Sequence, residues 1–129
     1  MGDLLFTDTI TLYNYYNGAW YCSVLEGVQW QDKATKTVDS NGKMHITLEV
    51  NITVPYRGGY APPNKYAGDG FTFGLDDLDV IVLGECDKEI TDSYTITQLL
   101  KDESKAATIY AAEDNTLRSL LKHWRVYAK

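Results

Sequence analysis

The residues whose types could carry chemistry are two histidines, two cysteines and one acidic run: His45, His123, Cys22, Cys86 and Asp76-Asp77-Leu78-Asp79. Nucleophilic catalysis needs a Ser or Cys beside a base and an orienting acid. The chain has no GxSxG, and neither cysteine stands in a recognised nucleophile context. His45 falls on the wet face of an expected strand and reads as a surface histidine. His123 stands beside Trp124 at a strand start and reads as a packing or hydrogen-bonding residue. A zinc site needs three or four ligands at close spacing, which these isolated residues do not offer. The acidic run after Gly74 could hold Ca²⁺, but it lacks the full EF-hand pattern and reads as a solvated turn. Glu113-Asp114-Asn115 reads as turn chemistry. Arg57-Gly58-Gly59 precedes no helix and no Lys-Ser/Thr, so it is not a phosphate loop. The expectation is a protein without cofactor, metal site or catalytic activity. Tyr13, Tyr15, Trp20 and Trp30 could form a sugar-binding platform, with core packing as the competing reading.

The elements that position these residues are mostly strands. Ile10 to Tyr16 is rich in β-branched and aromatic residues, Asn17-Gly18 is a strong hairpin signal, and Ala19 to Val24 is the return strand. Glu26-Gly27 is expected to break the run before a third strand at Val28-Gln29-Trp30. From Met44 to Val54 apolar and polar residues alternate without a break. Met44, Ile46, Leu48, Val50, Ile52 and Val54 are therefore expected on one buried face, and a one-residue slip would expose all of them. Asn41-Gly42 precedes this strand, so the segment from Val28 to Val38 is expected to pair with it. Pro55 ends it, because proline has no N–H for the ladder.

Strands are expected again at Phe71-Thr72-Phe73, 79–83, 107–113 and 123–128. One short helix is expected near 96–104, capped by Thr95 or Thr97, with a turn or short helix at 114–121. Between strands, residues 56–70 form a Gly/Pro/Tyr-rich stretch that reads as a long loop, mobile or ordered on contact, and the first site of proteolysis. The fold class is thus mainly β, a small antiparallel barrel or sandwich.

The chain has 129 residues and a formal net charge of −6. Its length suits one domain, 1–129, with a flexible tail at 1–7. The acidic balance disfavours specific nucleic-acid binding. There is no apolar run long enough for a membrane helix, and Met1 to Phe6 does not read as a signal peptide. Two distant cysteines read as reduced thiols of a cytosolic protein, with a Cys22–Cys86 disulfide as the minor alternative.

The layout resembles a known group. It runs through Asp8-Thr9-Ile10-Thr11-Leu12-Tyr13-Asn14, Trp20 to Trp30, Ile52-Thr53-Val54-Pro55, Asp79 to Glu85, Glu113-Asp114-Asn115 and the closing His123-Trp124-Arg125-Val126-Tyr127-Ala128-Lys129. This is similar to small structural proteins of tailed phages and prophages of Gram-positive bacteria, the head-completion (head–tail connector) and minor capsid proteins. The resemblance implies a β-barrel that becomes a homo-oligomer, commonly a ring, on assembly in the bacterial cytoplasm into a virion. Whether the free protein is monomeric stays open. It implies portal, tail-completion or neighbouring subunits as partners, reached through the long loop and the tail: Tyr56, Arg57, Tyr60, Tyr66 and Phe6. The alternative is a carbohydrate- or protein-binding β-module that uses an aromatic sheet face.

Overall fold

A computed structural model describes residues 6–73, 79–117 and 122–129. Among these residues, six strands and one helix follow one another: β1 (Asp8–Tyr16), β2 (Ala19–Val38), β3 (Met44–Pro55), β4 (Val80–Leu83), α1 (Ile96–Asp102), β5 (Ala106–Asp114) and β6 (His123–Ala128). The strands close into an antiparallel barrel in the order β1-β2-β3-β6-β5-β4. The expected mainly β fold with one short helix is what the chain adopts.

The turns behave as their residues require. Asn17 and Gly18 both take positive φ, 50° and 82°, and close the β1–β2 hairpin. Thr95 is the cap of α1, and its side chain accepts a hydrogen bond from the Gln98 N–H at 3.3 Å. The Glu26-Gly27 break does not occur. Gly27, at φ 71°, instead forms a bulge, where the pairing with β1 steps from Thr9–Glu26 to Asp8–Val28. β2 therefore runs on for 20 residues, pairing first with β1 and then, from Gln29 to Val38, with β3.

Two apolar layers hold the barrel. Its interior is filled by Ile10, Leu12, Leu25, Val28, Ile52, Val54, Ile109, Trp124 and Val126, among others. Outside it, Leu99 of α1 covers Tyr13, Val80 and Val82. Both faces of β1 are thus buried, which accounts for its unbroken run of buried residues from Ile10 to Asn14.

The 56–70 segment is a long loop, as expected, and it packs onto the barrel. Tyr66 is buried and meets the rings of Tyr16 and Tyr21 edge-on. Tyr60 lies against Phe71, Phe73 and Trp124. Residues 71–73 form no strand beyond one bridge between Phe71 and Tyr60. Their backbone is satisfied otherwise: Asn14 donates from Nδ2 to the Thr72 carbonyl at 2.8 Å and accepts from the Thr72 N–H at 3.3 Å. The Phe71 N–H donates to the Gly59 carbonyl at 2.8 Å. Gly70 permits this approach, because a Cβ there would fall 2.0 Å from the Gly59 oxygen.

Candidate functional site

The long half of β2 and the first half of β3 leave the barrel together. Past Trp30 on one side and before Val50 on the other, the two strands pair only with each other among the described residues. Every side chain described from Gln31 to Leu48 is exposed. The result is a two-stranded arm of about 20 Å beyond the barrel mouth.

Its two faces differ. Directly opposed residues share a face, so Ala34 with Leu48, Lys36 with Ile46 and Val38 with Met44 continue the row that Trp30 with Ile52 begins inside the barrel. Val50, Ile52 and Val54 are buried, as the alternation predicts; Met44, Ile46 and Leu48 are not, at 59%, 59% and 72% exposure, and Val38 stands at 65%. The expectation that all six apolar residues of β3 are covered is therefore corrected for the outer three. The barrel ends at Val50, opposite Ala128; beyond it Ala34 and Leu48 border an open cavity of about 410 Å³ with Ser104, Lys105 and Lys129, and Val38, Met44 and Ile46 stay exposed.

The arm is held at both ends. At its base Lys105 Nζ lies 2.6 Å from Asp32 Oδ2, and Tyr110 donates to Glu49 at 3.1 Å. The Lys105 hydrogen bond, helped by Trp30, lowers the Asp32 pKa. At its tip the Asp39 carboxylate accepts from the N–H groups of Asn41 and Lys43, each at 2.9 Å, and meets His45 Nε2 at 3.0 Å. The His45 contact first, and then the Lys43 N–H, hold its pKa below the ordinary value of 3.8. A lone hairpin is marginally stable in water, so these contacts and the barrel register set its shape.

The histidines singled out for chemistry are dispersed, whereas the two cysteines come together at the Tyr13 side chain. His45 is at the arm tip, and His123 is opposite Pro55, ten positions away along β3 and thus about 33 Å distant. Cys86 is buried against the Tyr13 hydroxyl at 3.2 Å, and Cys22 is exposed; both are free thiols. Among the described residues no cluster of His, Cys, Asp and Glu is placed to hold a metal ion. Asp76 and Asp77 lie outside the described residues, whereas Asp79 is fully buried and so is no part of a solvated turn.

A model of a protein family matches residues 5–129. The chain belongs to DUF6751, a family of unknown function. Neither a curated protein nor a solved structure matches it.

The partner-contact residues expected in this DUF6751 chain lie on the barrel wall. Tyr66 is buried, and Tyr60 is drawn into the ring cluster around Trp124. Arg57 donates to the carbonyls of Glu26, at 2.6 Å, and of Pro55, at 3.2 Å, and so ties the segment to the bulge at Gly27. Tyr56 is half exposed but stacks on Trp124, and Phe6 is half-buried. The side chains of Tyr56, Arg57, Tyr60 and Tyr66 are thus engaged within the chain. The arm was missed as a site because its apolar row reads as core. The signal that identifies it lies on β2: Lys36 stands opposite Ile46, where a buried pair would need an apolar residue.

The arm also changes where proteases should act. Trypsin is expected to cut first at Lys33, Lys36 or Lys43, before Arg57 and Lys65, because local opening is easiest where few apolar contacts must break. Mass spectrometry of the first fragments checks this, and first cuts within 56–70 would contradict it.

Proposed function

We propose that this chain is a virion structural protein, a head–tail connector or minor capsid subunit, which acts by assembly and not by catalysis. The observation that supports the reading is the arm. A ribbon with one apolar face, exposed from Gln31 to Leu48, has no use in an isolated barrel. Four large apolar side chains about 60% exposed present on the order of 400–500 Å², the size of patch that usually marks a contact surface. The resemblance of the sequence layout to phage structural proteins supplies the kind of particle. The carbohydrate-binding alternative is narrowed, because Tyr13 is buried and Trp30 packs against the core.

The test is the composition of particles released by a bacterium that encodes the chain. Quantitative mass spectrometry is expected to find it in purified particles, and to find it missing from particles made with Ile46→Asp/Leu48→Asp. Absence of the unaltered chain from the particles would overturn the reading.

A further inference from the structure

The arm must be covered by something, and charge indicates what. Residues 33–48 hold three lysines and one aspartate, a net of +2. The remainder of the chain then carries −8 of the total −6. Half of that excess lies between Glu85 and Ser104, where six acidic residues stand with two lysines, a net of −4.

This acidic segment borders a groove of about 470 Å³, walled by Tyr15 and Trp20 of the β1–β2 hairpin and by Ile90, Asp92 and Ile96. The Tyr15 and Trp20 rings lie 5.0 Å apart, and Tyr15 is exposed. The groove thus offers apolar surface beside a carboxylate, and Asp92 has no hydrogen bond or ion pair among the described residues. The arm offers the complement, an apolar row with Lys36 standing in it.

Groove and arm sit at opposite ends of one strand. Trp20 near the start of β2 lines the groove, and Val38 at its end closes the arm. Eighteen positions of extended chain separate them, about 60 Å. An arm therefore cannot reach the groove of its own chain. The apolar row alone supplies about half of the roughly 800 Å² per partner that a standard interface buries. A groove whose Asp92 can also pair with Lys36 adds a charge contact that two arms laid face to face lack.

We infer that the arm of one copy docks in the Tyr15–Trp20–Asp92 groove of a second copy of this chain. The inference rests on the assembly reading above and adds the partner and the seat. The contact is head-to-tail: one surface meets a different surface, so it propagates into a ring where the rotation closes and a filament where it does not.

Complementation of two defective copies tests this. Ile46→Asp/Leu48→Asp disables the arm, and Tyr15→Lys/Asp92→Lys disables the groove; all four positions are exposed. Analytical ultracentrifugation is expected to show the unaltered chain forming concentration-dependent oligomers. Each variant alone should associate at least about 100-fold more weakly. Their equimolar mixture should form a heterodimer and stop there, since only one intact arm and one intact groove are present. Dimers of the groove variant alone would mean arm-to-arm pairing, and a mixture that stays monomeric would also overturn the inference. An unaltered chain that is monomeric up to about 1 mM, yet enters particles by its arm, would overturn the inference and leave the assembly reading standing.

Discussion

Ile52→Asp is expected to abolish cooperative folding, whereas Ile46→Asp, six residues earlier in the same row of β3, is expected to leave the melting temperature within about 2 °C of the parent. Ile52 is fully buried inside the barrel, and Ile46 is 59% exposed on the arm. A carboxylate at position 52 would sit among Trp30, Trp124 and Val126 without a partner. Burying it costs about 4 kcal/mol or more, a large part of the 5–15 kcal/mol that holds a domain together. At position 46 the carboxylate stays in water and faces Lys36 across the ribbon. Its poorer strand propensity frays the arm locally, and exposed changes of this kind stay within about 0.5 kcal/mol globally. Thermal and urea unfolding followed by circular dichroism check the pair. Equal losses at the two positions would mean that the arm's face is covered in the monomer.

The second large effect belongs to Trp124→Ala, expected to cost about 3–5 kcal/mol in urea unfolding. Trp124 is buried, and the rings of Tyr56, Tyr60, Phe71 and Phe73 all lie within 6 Å of its own, centroid to centroid. Removing it empties the seat of the 56–73 segment as well as part of the barrel. The loss should therefore have a local signature: trypsin sites at Arg57 and Lys65, protected in the parent, open alongside those of the arm. Trp124→Phe is expected to cost about 2 kcal/mol less. It keeps a ring and deletes an indole N–H that is buried without an acceptor among the described residues. Unchanged protection at Arg57 in the alanine variant would show that the Arg57 hydrogen bonds alone retain the segment.

Local signals in the sequence were strong where one residue type has one physical use. Asn17-Gly18 marked a turn because both positions need positive φ, and Thr95 or Thr97 marked a helix start because a hydroxyl can accept from an orphan N–H, the role Thr95 takes. The alternation from Met44 to Val54 gave a strand and its pairing with 28–38, and both formed. Alternation records which residues share a face and carries no information on what lies over that face. Opposite Ile52 stands Trp30, and the pair is core; opposite Ile46 stands Lys36, and the pair is not. The stretch from Gln31 to Thr37 has no apolar alternation of its own, and reading the two strands as pairs would have separated arm from barrel. The 56–70 segment was legible as a loop but not as a packed one. Gly, Pro and Tyr are loop residues by composition, but Gly59 and Gly70 allow backbone contact and the tyrosines supply a packing face. Barrel closure was the least legible feature, since it depends on β2 and β5 each pairing with two different neighbours along their length.

The unbroken row from Val54 out to Met44 has a consequence for how such an arm can change over evolutionary time. The barrel acts as a phase reference, because burial of Ile52 and Val54 dictates which side of the ribbon every later residue occupies. Two residues added to each strand lengthen the arm by one repeat and preserve the apolar side. One residue added between Val50 and Leu48 turns the outer row over, so that Thr and His would face where Ile and Leu had been. Arms of this construction can therefore vary in reach only in even steps, and a family that diverges in arm length while keeping its contact face should do so two residues at a time.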